Sequence, residues 1–94
     1  MLLDKIDVIK SDERGVILDC GKSNFIFRKK GTISADHTHD EHEIFHLVKG
    51  EVEATVGEET QILKAPIKID IPSNVYHKLI ALSDFELVID REGE

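Results

Sequence analysis

Four of the chain's five histidines fall in one stretch, Ala35 to Gly50, which reads ADHTHDEHEIFHLVKG. Imidazole changes charge near neutral pH and is the commonest nitrogen ligand for transition metals, so imidazoles interleaved with carboxylates at this density point to metal binding. The cluster lies mid-chain and is irregular, which excludes a purification-tag remnant. His37 and His39 are two residues apart, so in extended chain they share a face. TISADHTH reads as a strand, DE as a tight connection and HEIFHLV as a returning strand, a hairpin that would bring Glu43 opposite the two histidines. Two imidazoles and one carboxylate converging in this way form a facial metal site with positions left open for substrate or water. The one distant histidine, His77 in PSNVYHKL, could supply a fourth ligand.

The elements that must hold these residues are strands. KIDVI, EVEATV, IKIDIP and FELVID alternate with period two, and VILDC and NFIFR are β-branched and aromatic. Short breakers separate them: SDERG, CGKSN, KKG, KG, GEE, PSN and LSD. No window combines a helix start, an apolar stripe of helical spacing and a glycine stop. Many short strands at even spacing predict an all-β antiparallel sandwich or barrel.

Ninety-four residues make a single domain, 1–94, with a thin core: a chain of this size buries roughly 60% of its unfolded surface. Hydrophobic residues at 40% beside 33% charged residues describe a globular chain and exclude a disordered one. The net charge of −7, with no basic run longer than Lys29–Lys30, argues against nucleic acid and anionic membrane as partners but leaves room for a small anionic ligand. A lone Cys20 calls for no oxidising compartment, and MLLDKIDVIK mixes charges among its apolar residues, unlike a signal peptide or a membrane span. The expected location is cytoplasmic. Scarce Asn and Gln beside abundant Lys, Glu and Ile lean toward a heat-adapted source.

The histidine cluster resembles the first motif of the cupin superfamily: Gly, five residues, His-x-His, three or four residues, Glu, six residues, Gly. Gly31, His37, His39, Glu43 and Gly50 stand at each of these spacings. The second motif is looser; Pro72 and His77 are in place, while Asn74 stands where Gly is usual, Ala81 where Asn is usual, and Pro66 where a Gly is expected. Asn is the non-glycine residue that best tolerates left-handed backbone, so the turn at Asn74 is expected to survive. The resemblance runs from about Phe25 to Ile89 and implies a small jelly-roll barrel in which His37, His39, Glu43 and His77 bind one divalent transition metal (Fe, Mn, Ni or Zn).

Strand parity extends this expectation. If Glu43 and His77 point inward, so do Phe45, Leu47, Leu79 and Ala81, which would line a ligand pocket. His42 and His46 fall on the opposite face and are read as surface or interface groups. Phe25 and Phe27 are read as core, Arg28 and Tyr76 as surface or rim, and Cys20 as a small buried apolar residue. Ile44, His46 and Val48 on one strand, with Tyr76, Ile80 and Leu82 on another, would form the covered outer face of one sheet, which predicts a homodimer. The functional expectation is a small metal-binding cupin holding a small polar or anionic organic ligand. The alternative is a metal-dependent enzyme, an Fe(II) dioxygenase or an isomerase, using the same residues. A third reading leaves the metal as a staple for a thin core.

Overall fold

The alternating segments form ten strands in a computed structural model that describes residues 1–91: β1 (Asp7–Asp12), β2 (Gly15–Asp19), β3 (Ser23–Arg28), β4 (Ile33–Thr38), β5 (Glu43–Lys49), β6 (Glu51–Val56), β7 (Glu59–Lys64), β8 (Ile67–Ile71), β9 (Tyr76–Ala81) and β10 (Phe85–Arg91). They make two antiparallel sheets, one of six strands in the order β1-β2-β3-β10-β5-β8 and one of four in the order β4-β9-β6-β7. The protein is an all-β jelly roll. Inward residues from both sheets fill the space between them, chiefly Phe45, Leu47, Leu87 and Phe85 from the larger sheet and Val52, Leu79 and Ala81 from the smaller. Among the described residues no helix is long and apolar enough to cross a membrane.

Several expectations need correcting. β4 and β5 do not form a hairpin: β4 pairs with β9 in the four-stranded sheet, whereas β5 lies between β10 and β8 in the six-stranded one. The residues between them cross from one sheet to the other, so Glu43 faces the histidines across the barrel interior. On β3 the inward set is Asn24, Ile26 and Arg28, and Phe25 and Phe27 lie on the outer side. The outer face of β3 is the more apolar of the two, so the aromatic pair pointed to the wrong side. Arg28 is accordingly buried, not on the rim. Cys20 is exposed, because its backbone N–H turns back to the Ser23 carbonyl at the β2–β3 connection. Tyr76 does lie at the rim, where its hydroxyl donates to Asp36.

Two backbone features set the position of the histidine-bearing strand. The β4–β9 register slips between Ser34 and His37, with Ala35 in left-handed backbone at φ 54°. At the other end, Asn74 has φ 64° in the turn before β9, the conformation expected of an asparagine in a glycine position. The Asn74 N–H donates to the His39 carbonyl at 2.6 Å and ties that turn to the end of the His37–His39 segment.

Gly50, the last residue of the first motif, has φ 100°, and a Cβ there would lie 2.3 Å from the Asp84 carbonyl oxygen and 2.8 Å from the Phe85 Cα. Neither backbone can yield without moving the β5–β6 turn. Gly50→Ala is therefore expected to destabilise the fold by about 3 kcal/mol or more in urea unfolding. At Asn74, Gly should be tolerated, whereas Val, β-branched and ill suited to positive φ, should cost about 1–2 kcal/mol and loosen the His39 strand end. Melting curves of the two variants check the difference; equal melting temperatures would remove the role assigned to this turn.

Candidate functional site

His37 and His77 are direct cross-strand partners on β4 and β9, and His39 follows His37 on the same face. The three imidazoles pack together with ring centroids 4.0 Å apart for His37–His39, 4.9 Å for His37–His77 and 5.9 Å for His39–His77. From the opposite sheet Glu43 approaches His77, with Oε1 3.7 Å from Nε2. Glu43 and His77 are buried, 2% and 1% exposed, whereas His39 is half-buried and His37 lies open to solvent. The site therefore has a closed base and an open outer edge. The structure brings together all four residues expected as ligands.

The orientation of His77 is fixed by its surroundings. Nδ1 lies 3.1 Å from the Val75 carbonyl, which can only accept, so Nδ1 carries the proton in that bond. Phe45 supports the ring edge-on at a centroid distance of 5.7 Å. Nε2 is then the nitrogen left to face a cation, buried and without a hydrogen-bond partner, turned toward a carboxylate oxygen. Two electron-rich groups repel at this separation unless a cation lies between them, and a proton or a metal ion would serve. Burial holds the His37 imidazole below its ordinary pKa, the neighbouring His39 and His77 add to the effect, and Glu43 and Asp36 oppose it. The neutral ring that results keeps a lone pair available to a cation.

The donor set (three imidazoles and one carboxylate) suits Fe, Mn, Ni or Zn, and the orphaned Nε2 is where such an ion would fit. Among the described residues no group of three His, Cys, Asp or Glu side chains is placed to hold a metal ion as it stands, and the His37 ring packs edge to face on those of His39 and His77. Side-chain rotation would be needed to turn their nitrogens onto one point. His42 and His46 are directed elsewhere: His42 Nε2 lies 2.6 Å from Asp70 on β8, and His46 Nδ1 lies 3.7 Å from Asp90 on β10.

A cavity of about 530 Å³ opens beside the site. Phe45 and Leu79 line it as expected, but Leu47 and Ala81 do not; they are buried deeper in the packed core, 1% and 2% exposed. Parity gives the side of a sheet and not the depth along it. The remaining walls come largely from β3, β4 and β10, with Ile26, Leu87 and Ile89 among them, and include Ser34 and Arg28. Arg28 was missed because a charged residue ending a strand reads as solvated; its alternation with Ile26 was the available signal.

The cupin domain family matches residues 25–89. No curated protein sequence matches the chain. Among solved structures the fold is similar to an RmlC-like cupin from Shewanella frigidimarina, with a TM-score of 0.74 and 17% identity over 96% of this chain and 84% of that one. It is also similar to the capsular polysaccharide assembling protein CapF from Staphylococcus aureus, at TM-score 0.79 and 17% identity, covering 98% of this chain but 29% of that one. A mutant salicylate 1,2-dioxygenase from Pseudoaminobacter salicylatoxidans aligns at TM-score 0.70 and 23% identity over 74% of this chain and 21% of the dioxygenase. The chain thus spans less than a third of the last two proteins. With the family matched over most of its length and both motif regions inside the match, the chain belongs to the cupin family.

Proposed function

We propose that this chain is a small metal-binding cupin in which His37, His39, Glu43 and His77 hold one divalent transition metal beside a cavity that takes a small polar or anionic organic molecule. The observation that carries this reading is the buried, unpartnered Nε2 of His77, oriented by the Nδ1 bond to the Val75 carbonyl and turned toward Glu43. When bound, a metal would supply Lewis acidity toward an oxygen donor of the ligand. The protein's own part is to keep the base of the site dry, to hold His77 in one tautomer and to leave the His37 edge open for entry.

Metal-stripped protein titrated with Fe(II), Mn(II), Ni(II) and Zn(II), with metal quantified after dialysis, should reach one equivalent per chain. Replacing His39 or His77 with Ala should weaken binding by more than the roughly 10–100-fold that loss of an outer hydrogen-bond partner costs. His46→Ala should leave it unchanged, and equal loss from His46→Ala would refute the assignment.

A metal-dependent enzyme is the second reading, favoured by a cavity far larger than an ion used only as a staple requires. An Fe(II) dioxygenase or an isomerase are the activities in view. Oxygen uptake by Fe(II)-loaded protein with organic acids, catechols and thiols, and isomer analysis of sugars incubated with it, distinguish an enzyme from a binding protein.

The homodimer is proposed on a different surface from the one first expected. Ile44, His46 and Val48 lie on the six-stranded sheet, Tyr76 and Ile80 on the four-stranded one, and Leu82 just past the end of β9, so they do not form one face. The outer side of the six-stranded sheet carries instead a cross-strand row, Leu18, Phe25, Val88 and His46, with Val16 and Phe27 beside it, all half-buried. A sheet apolar on both sides calls for cover, and a second copy related by a two-fold axis provides it. Light scattering at micromolar concentration should give twice the 10.6 kDa chain mass, and Phe25→Glu or Val88→Glu should return it to 10.6 kDa by burying unpaired carboxylates at the axis. A wild-type mass of 10.6 kDa rules the dimer out.

A further inference from the structure

We propose that Arg28 forms a carboxylate-binding subsite in the cavity wall, so that the ligand is an organic monocarboxylate with an apolar body. Arg28 ends β3 and points between the sheets; it is 6% exposed, yet it lines the cavity. Its Nε donates to Ser34 Oγ on the opposite sheet at 3.3 Å, while Nη1 is buried with no hydrogen-bond partner. A guanidinium stays charged at neutral pH, and a buried cation with an unfilled donor is costly unless an acceptor, best of all an anion, completes it.

The neighbouring charges do not supply that anion. Arg14 also lines the cavity, but its Nε and Nη2 both reach Asp12 Oδ2, at 3.4 and 3.1 Å, and its backbone N–H donates to the other oxygen of the same carboxylate. Asp36, on the cavity wall, accepts the Tyr76 hydroxyl. Glu43, also on the wall, faces His77 at the histidine end. Arg14 and Asp12 thus form a pair, and Arg28 remains as a further cation beside the apolar part of the wall. One guanidinium among Ile26, Phe45 and Leu79 suits a singly charged carboxylate with a hydrocarbon body better than a phosphate dianion, which calls for more than one cation.

The strand register gives the span. Ser34 pairs with Leu79 and His37 with His77, so the Arg28–Ser34 contact lies two residues along β9 from the histidine pair. At the strand rise that is roughly 7 Å, within reach of one small molecule that touches both. The histidine end of this picture rests on the metal reading proposed above, whereas the Arg28 end stands on its own observations.

The test compares phenylacetate with phenylacetamide, which share a body and differ in charge, by calorimetry and NMR titration on protein stripped of metal with a chelator and on protein loaded with Zn(II). Wild-type protein should bind phenylacetate at least about tenfold more tightly than the amide in the stripped form. Arg28→Met should lose that preference, and Arg28→Lys, which keeps the charge but not the fork, should retain only part of it. Equal binding of the two compounds by stripped wild-type protein, as when a trapped water alone completes Nη1, overturns the subsite; so does an Arg28→Met variant that keeps the preference. If Arg28→Met fails to fold by circular dichroism, the wild-type comparison with Arg28→Lys decides. Zn(II) stoichiometry measured on wild-type protein keeps the two proposals apart: no charge preference in stripped wild-type protein that then takes up one Zn(II) sinks the subsite alone, and a clear preference in wild-type protein that takes up no Zn(II) sinks the metal reading alone.

Discussion

The barrel is organised around the burial of a carboxylate and an imidazole at one end of its interior. Glu43 and His77 are almost wholly removed from water, and they come from different sheets. Moving such groups out of water costs several kcal/mol unless a partner of suitable charge or hydrogen-bonding character replaces the solvent. The Val75 carbonyl provides one such partner for His77, and Phe45 packs against its ring. The site exists only when the two sheets are closed on each other. Metal affinity, if the proposed ion is bound, is therefore also folding free energy, which matters for a core drawn from only 94 residues.

Local strain is placed where it serves that closure. Ser34 and His37 are three residues apart, and in a regular strand they would face opposite sides. Both line the cavity because the register slip around Ala35 inserts the extra residue that returns the strand to phase. A non-glycine residue at φ 54° costs of the order of 1–2 kcal/mol, which the surrounding pairing must absorb. The bulge thus lets one strand present both the acceptor for Arg28 and the histidines to the same interior. Asn74 performs a related task at the far end, where its left-handed turn directs a backbone N–H to His39.

The fold class and the shared face of His37 and His39 were legible because they depend on local spacing, period-two alternation and a histidine pair two residues apart, whereas Glu43 and His77 were joined to them through the motif resemblance. What was not legible depends on which sheet a strand joins. His39 and Glu43 are four residues apart, and sequence proximity suggested a hairpin, whereas the intervening residues cross the barrel. The same limit explains Phe25 and Phe27. The parity of β3 favours burying the aromatic pair, and only its pairing with β2 and β10 shows that Asn24, Ile26 and Arg28 face inward. Depth was equally hidden, since Leu47 and Ala81 share the inward face of Phe45 and Leu79 but lie where the two sheets are already packed.

Charge is distributed against the sign of the whole molecule. The chain carries −7 overall, a field that opposes the approach of anions at long range. Inside the cavity, however, Arg28 has an incomplete hydrogen-bond shell and the wall around it is mostly apolar. Long-range repulsion between exposed charges is screened within roughly 8–10 Å at ordinary ionic strength, whereas a charge in a cavity of low polarity acts with less screening. The subsite proposed at Arg28 would thus act at short range only, in a wall that also carries Asp36 and Glu43, so an anionic ligand would have to place its charge at the Arg28 end and its body against Ile26, Phe45 and Leu79.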